Sequence, residues 1–138
     1  MIRALSVLSI LTAVSVAHAG NPITDWNLCS IDSGSDKTQN LAPRDVSAFE
    51  ITLTLSPDTV SGTSGCNMYA GDYTPHEVPL FKRVSWTDAA CESAEVMEME
   101  REFVDLFLDA KTITWDERAL ILTTSSGEKL NFSSGRCL

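Results

Sequence analysis

Apolar positions along this chain repeat with two different periods, and the switch between them predicts most of its elements. Phe49, Ile51, Leu53 and Leu55 alternate with Thr52 and Thr54, the period of two that marks a half-buried strand. Residues 25–31 alternate in the same way and predict a first strand, with Trp26, Leu28 and Cys29 near the core. Between these runs, residues 32–44 are polar and contain Gly34, Asn40 and Pro43, which reads as a surface loop. Ser56-Pro57-Asp58 predicts a turn into Val60. Three glycines then punctuate residues 60–73, giving one or two short strands that end near Tyr73. Pro75 and Pro79 bracket a connector. Residues 80–86 predict a further strand, with Leu80, Lys82, Val84 and Trp86 facing one way and Phe81, Arg83 and Ser85 the other.

From Ser93 to about Ala110 the period lengthens to that of a helix. At 100° per residue, Val96, Met99, Phe103, Leu106, Phe107 and Ala110 share one side. Glu95, Glu98, Glu102, Asp105 and Asp109 form a separate stripe that faces water. Met97, Val104 and Leu108 make a smaller apolar stripe, either covered within the domain or open to a partner. Two runs follow, at 112–115 and 119–124, flanking Asp116-Glu117-Arg118 like a hairpin, and a turn at 125–128 leads into residues 129–132. The order predicts a mainly β, α+β domain with a single α-helix.

The first residues change the picture of where such a domain works. Arg3 precedes an apolar stretch from Leu5 to Val16, and Ala17-His18-Ala19 offers the small residues that signal peptidase reads. We therefore expect residues 1–19 to be a signal peptide and residues 20–138 to be one mature domain. Gly20 stands where a lipoprotein would carry cysteine, so we expect a periplasmic or secreted protein without stable membrane insertion after cleavage. The formal net charge of −9 argues against nucleic acid and anionic lipid as partners. Four cysteines, in an exported chain, point to disulfides with three possible pairings. We expect Cys66–Cys91, closing a loop worth about 3 kcal/mol, and Cys29–Cys137, locking the first strand to the last.

Candidate chemistry is thin. None of the cysteines forms a C-x-x-C pair, and the mature chain has a single histidine, His76, which argues against a zinc site. No nucleophile elbow of the G-x-S-x-G kind appears. The expectation is no enzyme activity, no cofactor and no metal. Gly65-Cys66-Asn67 reads either as a nest of backbone amides for an anion or as a tight turn stapled by a disulfide. With no basic residue nearby in sequence, the turn is the preferred reading, and Asn67 is expected to bond neighbouring backbone. Trp26, Tyr69, Tyr73, Trp86 and Trp115 would either complete the core or line a cavity for one apolar ligand.

In this order, Trp26 with Leu28, Phe49, Val60-Ser61-Gly62, Gly65-Cys66-Asn67, Tyr69, Gly71 and Tyr73 form a series. Thr87, Ala90-Cys91, Glu100, Phe103, Leu106, Leu120, Leu122, Gly127, Leu130 and Phe132 continue it. The series resembles the META domain, also called the HslJ-like family of exported bacterial proteins. The resemblance implies an antiparallel curled sheet or small barrel with a single packed α-helix, a link to stress responses of the cell envelope, and no catalytic residues. It marks Gly62, Gly65, Asn67 and Gly71 as a motif turn. The expected role is stress tolerance through an unknown envelope protein partner, with a small apolar ligand as the alternative.

Overall fold

The computed structural model describes residues 24–34, 41–91 and 93–138. The expected signal peptide and Gly20 lie outside the described residues. Nine strands form one antiparallel sheet: β1 (Thr24–Asp32), β2 (Arg44–Asp45), β3 (Thr52–Leu55), β4 (Thr59–Thr63), β5 (Met68–Tyr73), β6 (Phe81–Trp86), β7 (Ala110–Trp115), β8 (Ala119–Thr124) and β9 (Lys129–Ser133). The order across it is β6-β5-β4-β3-β1-β9-β8-β7, with the two-residue β2 paired to β1. Two meanders, β3 to β6 and β7 to β9, are thus joined by β1, which pairs with β3 on one side and β9 on the other. The helix α1 (Ala94–Leu108) runs between the two edge strands. The sheet curls into a half-barrel, and α1 supplies Met99, Phe103 and Phe107 to the same core as the inward strand residues.

Three bulges bend the sheet, since each adds one unopposed residue and sharpens the local twist. In β1 the extra residue is Cys29, between Leu28 opposite Phe132 and Ser30 opposite Asn131. The alternation is reset there, so Trp26, Leu28 and Ile31 all point inward. Cys29 itself is half-buried at the bulge rather than part of the core. In β6 the pairing slips between Lys82 and Ser85, and Arg83 takes a φ of 48°. Phe81 consequently faces the core opposite Tyr73, correcting the face assigned to it from strict alternation. Lys82 turns to the surface and pairs with Glu77. In β7 the third bulge lies at Lys111.

Other boundaries also moved. Ser47–Phe49 is a 3₁₀ turn, not strand, ending at Glu50 in the left-handed region. Ile51 and Leu53 are fully buried as the period of two requires, while Phe49 and Leu55 pack at the margin. Asp109 caps α1, its N–H bonding Asp105 O and Phe107 O, and the buried Ala110 already belongs to β7. The acidic Asp109 at that negative helix end is accommodated by Ser125, whose N–H and Oγ donate to its carboxylate at 3.1 and 2.5 Å.

The core between sheet and helix is filled with aromatic rings. Phe81 and Phe107 stack with centroids 4.1 Å apart, and Tyr69 leans on Phe107, Phe103 and Trp86. Trp26, Tyr69 and Tyr73 are buried and Trp86 packs against them, but Trp115 is 56 % exposed and takes no part. Tyr69 crosses its register partner Gly62 to donate its hydroxyl to Thr52 O at 2.7 Å. Any Cβ on Gly62 would collide with the Thr52 carbonyl and sit 2.8 Å from that hydroxyl. Gly62→Ala is therefore expected to lower stability by about 1–3 kcal/mol or more, as overpacking does, read as a shift in urea midpoint at unchanged slope. A midpoint equal to wild type would show that the close approach is not a constraint.

Candidate functional site

Gly65, Cys66, Asn67, Cys91 and Glu100, all marked in the sequence, meet at the connection between β4 and β5. Gly65 and Cys66 form its two-residue tip, Gly65 with a φ of 104° that an L side chain rarely adopts. Ser64 N–H donates to Asn67 O at 2.8 Å, closing the turn. Of the four motif residues, only Gly65 and Asn67 lie in the turn. Gly62 belongs to β4 and Gly71 to β5, where its missing side chain leaves room for Val84 beneath the β6 bulge.

The amides of this turn do cradle an anion, and the anion is the protein's own Glu100 on α1. Its Oε2 accepts from Ser64 Oγ at 2.6 Å, Asn67 N at 2.9 Å and Cys66 N at 3.4 Å. Its Oε1 accepts from Asn67 Nδ2 at 2.7 Å. The turn and the nest are thus one structure. Glu100 belonged to the sequence series but nothing in helical periodicity marked it, because its role depends on a segment more than thirty residues away. Burial pushes its carboxyl up, and the bonds from Ser64, Asn67 and Cys66 outweigh that, holding it below the ordinary carboxylate range.

Asn67 is buried and uses all four hydrogen-bonding positions of its amide. Nδ2 donates to Glu100 and to Ala89 O at 3.3 Å, while Oδ1 accepts from Thr87 Oγ1 at 2.9 Å and Ala89 N at 2.7 Å. Its side chain therefore reaches across to the β6–α1 connector, not to adjacent turn backbone. The disulfide Cys66–Cys91 runs in parallel, and Cys29–Cys137 ties the β1 bulge to the tail after β9. Both expected pairs are formed. Two disulfides indicate an oxidising, non-cytoplasmic location, and no described helix is long and apolar enough to cross a membrane.

A scan of family models matches the META domain over residues 22–136. The chain belongs to the META domain family. A solved NMR structure of a protein from Burkholderia xenovorans is similar at 23 % identity and a TM-score of 0.55, covering 88 % of this chain and 95 % of that one. A crystal structure of a DUF4847 family protein from Bacteroides vulgatus is similar at 10 % identity and a TM-score of 0.57, over 82 % of this chain and 93 % of that one. At these identities the likeness is one of fold. No curated protein matches the chain in sequence.

The remaining candidates of this META domain sit elsewhere. His76 is exposed in the β5–β6 connection beside Lys111 and Thr112 of β7. Met97 and Leu108 are each 44 % exposed on α1, whereas Val104 between them is half-buried against the core. The apolar stripe is thus two open residues, not a continuous ridge. A groove of about 510 Å³ lies along β3 to β6, lined by Thr52, Thr54, Ser61, Thr63, Met68 and Trp86 among others.

Two measurements test the clamp. Glu100→Gln weakens charge-assisted bonds to partly buried donors and is expected to cost about 2 kcal/mol or more. A carboxyl held low in the fold stabilises above its unfolded pKa and loses that contribution as pH falls through its folded value. The wild-type melting temperature should therefore drop below about pH 4, and the Glu100→Gln profile should fall less steeply there. Parallel acid limbs would show that Glu100 does not contribute. Separately, Cys66→Ala or Cys91→Ala should cost about 2–5 kcal/mol, with unchanged melting contradicting the staple's importance.

Proposed function

We propose that this META domain is exported and acts in cell-envelope stress tolerance by binding a protein partner, without catalysis. The observation that carries this reading is the filled interior. Phe81, Phe103, Phe107 and Tyr69 occupy the space between sheet and helix, so a partner is met on the outside. Export rests on the apolar leader at residues 1–19 together with the two disulfides. The open flank of α1, with Met97 and Leu108, is the surface we assign to the partner. An apolar ligand is the second reading, favoured by Met68, Ala70 and Trp86 along the open groove over β3 to β6, where threonines and serines interrupt the apolar surface.

Removing the protein from its host is expected to raise sensitivity to envelope stress, with wild type restoring tolerance. Met97→Glu combined with Leu108→Glu should not restore it, although the purified variant melts near wild type, since exposed substitutions change stability by about 0.5 kcal/mol. Full restoration by that variant would remove the helix flank from the proposal, and an unaffected deletion strain would remove the stress role. Hydrophobic probes at saturation should leave the tryptophan fluorescence unchanged. A saturable change would favour the apolar ligand instead.

A further inference from the structure

The staple and the clamp share one location, and together they bring two sulfurs and a carboxylate to one point. The Sγ atoms of Cys66 and Cys91 and a carboxylate oxygen of Glu100 all lie within 4.8 Å of one another, on three half-buried residues. Ligand atoms around a tetrahedral zinc ion, with bonds of about 2.0–2.3 Å, are separated by about 3.5–3.8 Å, which this spacing accommodates once the sulfurs part. We propose that, when the Cys66–Cys91 disulfide is reduced, Cys66, Cys91 and Glu100 bind a thiophilic divalent cation such as Zn²⁺. The inference is independent of the partner role above.

Three features favour it. Two thiolates with one carboxylate suit a borderline-soft ion, not Mg²⁺ or Ca²⁺. The carboxylate is already oriented by Ser64, Cys66 N and Asn67, as outer-sphere donors orient metal ligands. A carboxylate offers about four acceptor directions, and Oε1 takes a single described hydrogen bond, from Asn67. A water completes four-coordination. The electron balance is simple. A dithiol delivers two electrons and two protons to the disulfide and is itself oxidised to a disulfide. The cation then displaces the two thiol protons.

The test uses the Cys29→Ser/Cys137→Ser protein, so that only one disulfide responds. It is reduced with a phosphine, which takes oxygen from one water to become the phosphine oxide, and is freed of reductant by anaerobic gel filtration. Co²⁺ is then titrated, reading thiolate-to-cobalt charge transfer in the near ultraviolet and tetrahedral bands in the visible, with Zn²⁺ as competitor. We expect one Co²⁺ per chain after reduction, none before it, and none when Cys66→Ser and Cys91→Ser are added. Glu100→Gln should weaken binding by about tenfold or more. Ser64→Ala, which loosens the same turn without removing a ligand, should weaken it less. A folded reduced protein without thiolate bands would overturn the proposal, as would a reduced protein that unfolds and is not restored by Zn²⁺. A Glu100→Gln loss no larger than that of Ser64→Ala would overturn the three-ligand set.

Discussion

The Glu100 carboxylate meets the β4–β5 turn at a point where three separated stretches of chain come together. Backbone amides with a glycine at positive φ form a concave, electropositive surface, and without an anion those donors would stay unpaired in a half-buried site. Glu100 fills it from the second turn of α1. Asn67 carries the connection onward to Thr87 and Ala89, and the Cys66–Cys91 disulfide repeats it covalently. The helix is thereby held across the open side of the half-barrel, which lets Phe103 and Phe107 enter the core at the depth seen.

The shape of the sheet follows from where extra residues are inserted. Bulges at Cys29, Arg83 and Lys111 fall in β1, the strand shared by both meanders, and in the two edge strands. Curvature is concentrated at the centre and rims, and the helix, rather than a ninth hydrogen-bonded ladder, closes the gap between β6 and β7. The Cys29–Cys137 disulfide sits on the central bulge and fastens β1 to the tail after β9. Each staple therefore secures a point where the backbone departs from regular geometry.

Much of this was legible in residue pattern. Period two located β1, β3 and β6, hairpin and turn residues located β7, β8 and β9, and period 3.6 located α1 and its buried face of Met99, Phe103 and Phe107. Turn residues marked 56–59 and 116–119, where Asp116 Oδ1 accepts from Arg118 N and Ala119 N. Phe81 was placed by strict alternation, which the bulge after Lys82 breaks, so that Leu80 and Phe81 are both buried. Cys29 was grouped with Trp26 and Leu28, and as the unopposed residue of the β1 bulge it is only half-buried. Trp115 was grouped with the core aromatics by type, but it lies at the end of an edge strand, where the sheet no longer has a neighbour to cover it.

The sequence alone determined what local chemistry encodes: the helix and its apolar face, the principal strands and turns, the need for glycine at position 65, and an even cysteine count fit for an oxidising compartment. Tertiary structure decided what depends on residues distant in the chain. It set the bulges, since an unopposed residue exists only relative to a partner strand. It also set the role of Glu100, whose charge looks like any other on an acidic helix until folding brings Ser64, Cys66 and Asn67 to it. Hydrogen bonding to a carboxylate is a short-range, directional interaction, and only the folded chain brings its donors within reach.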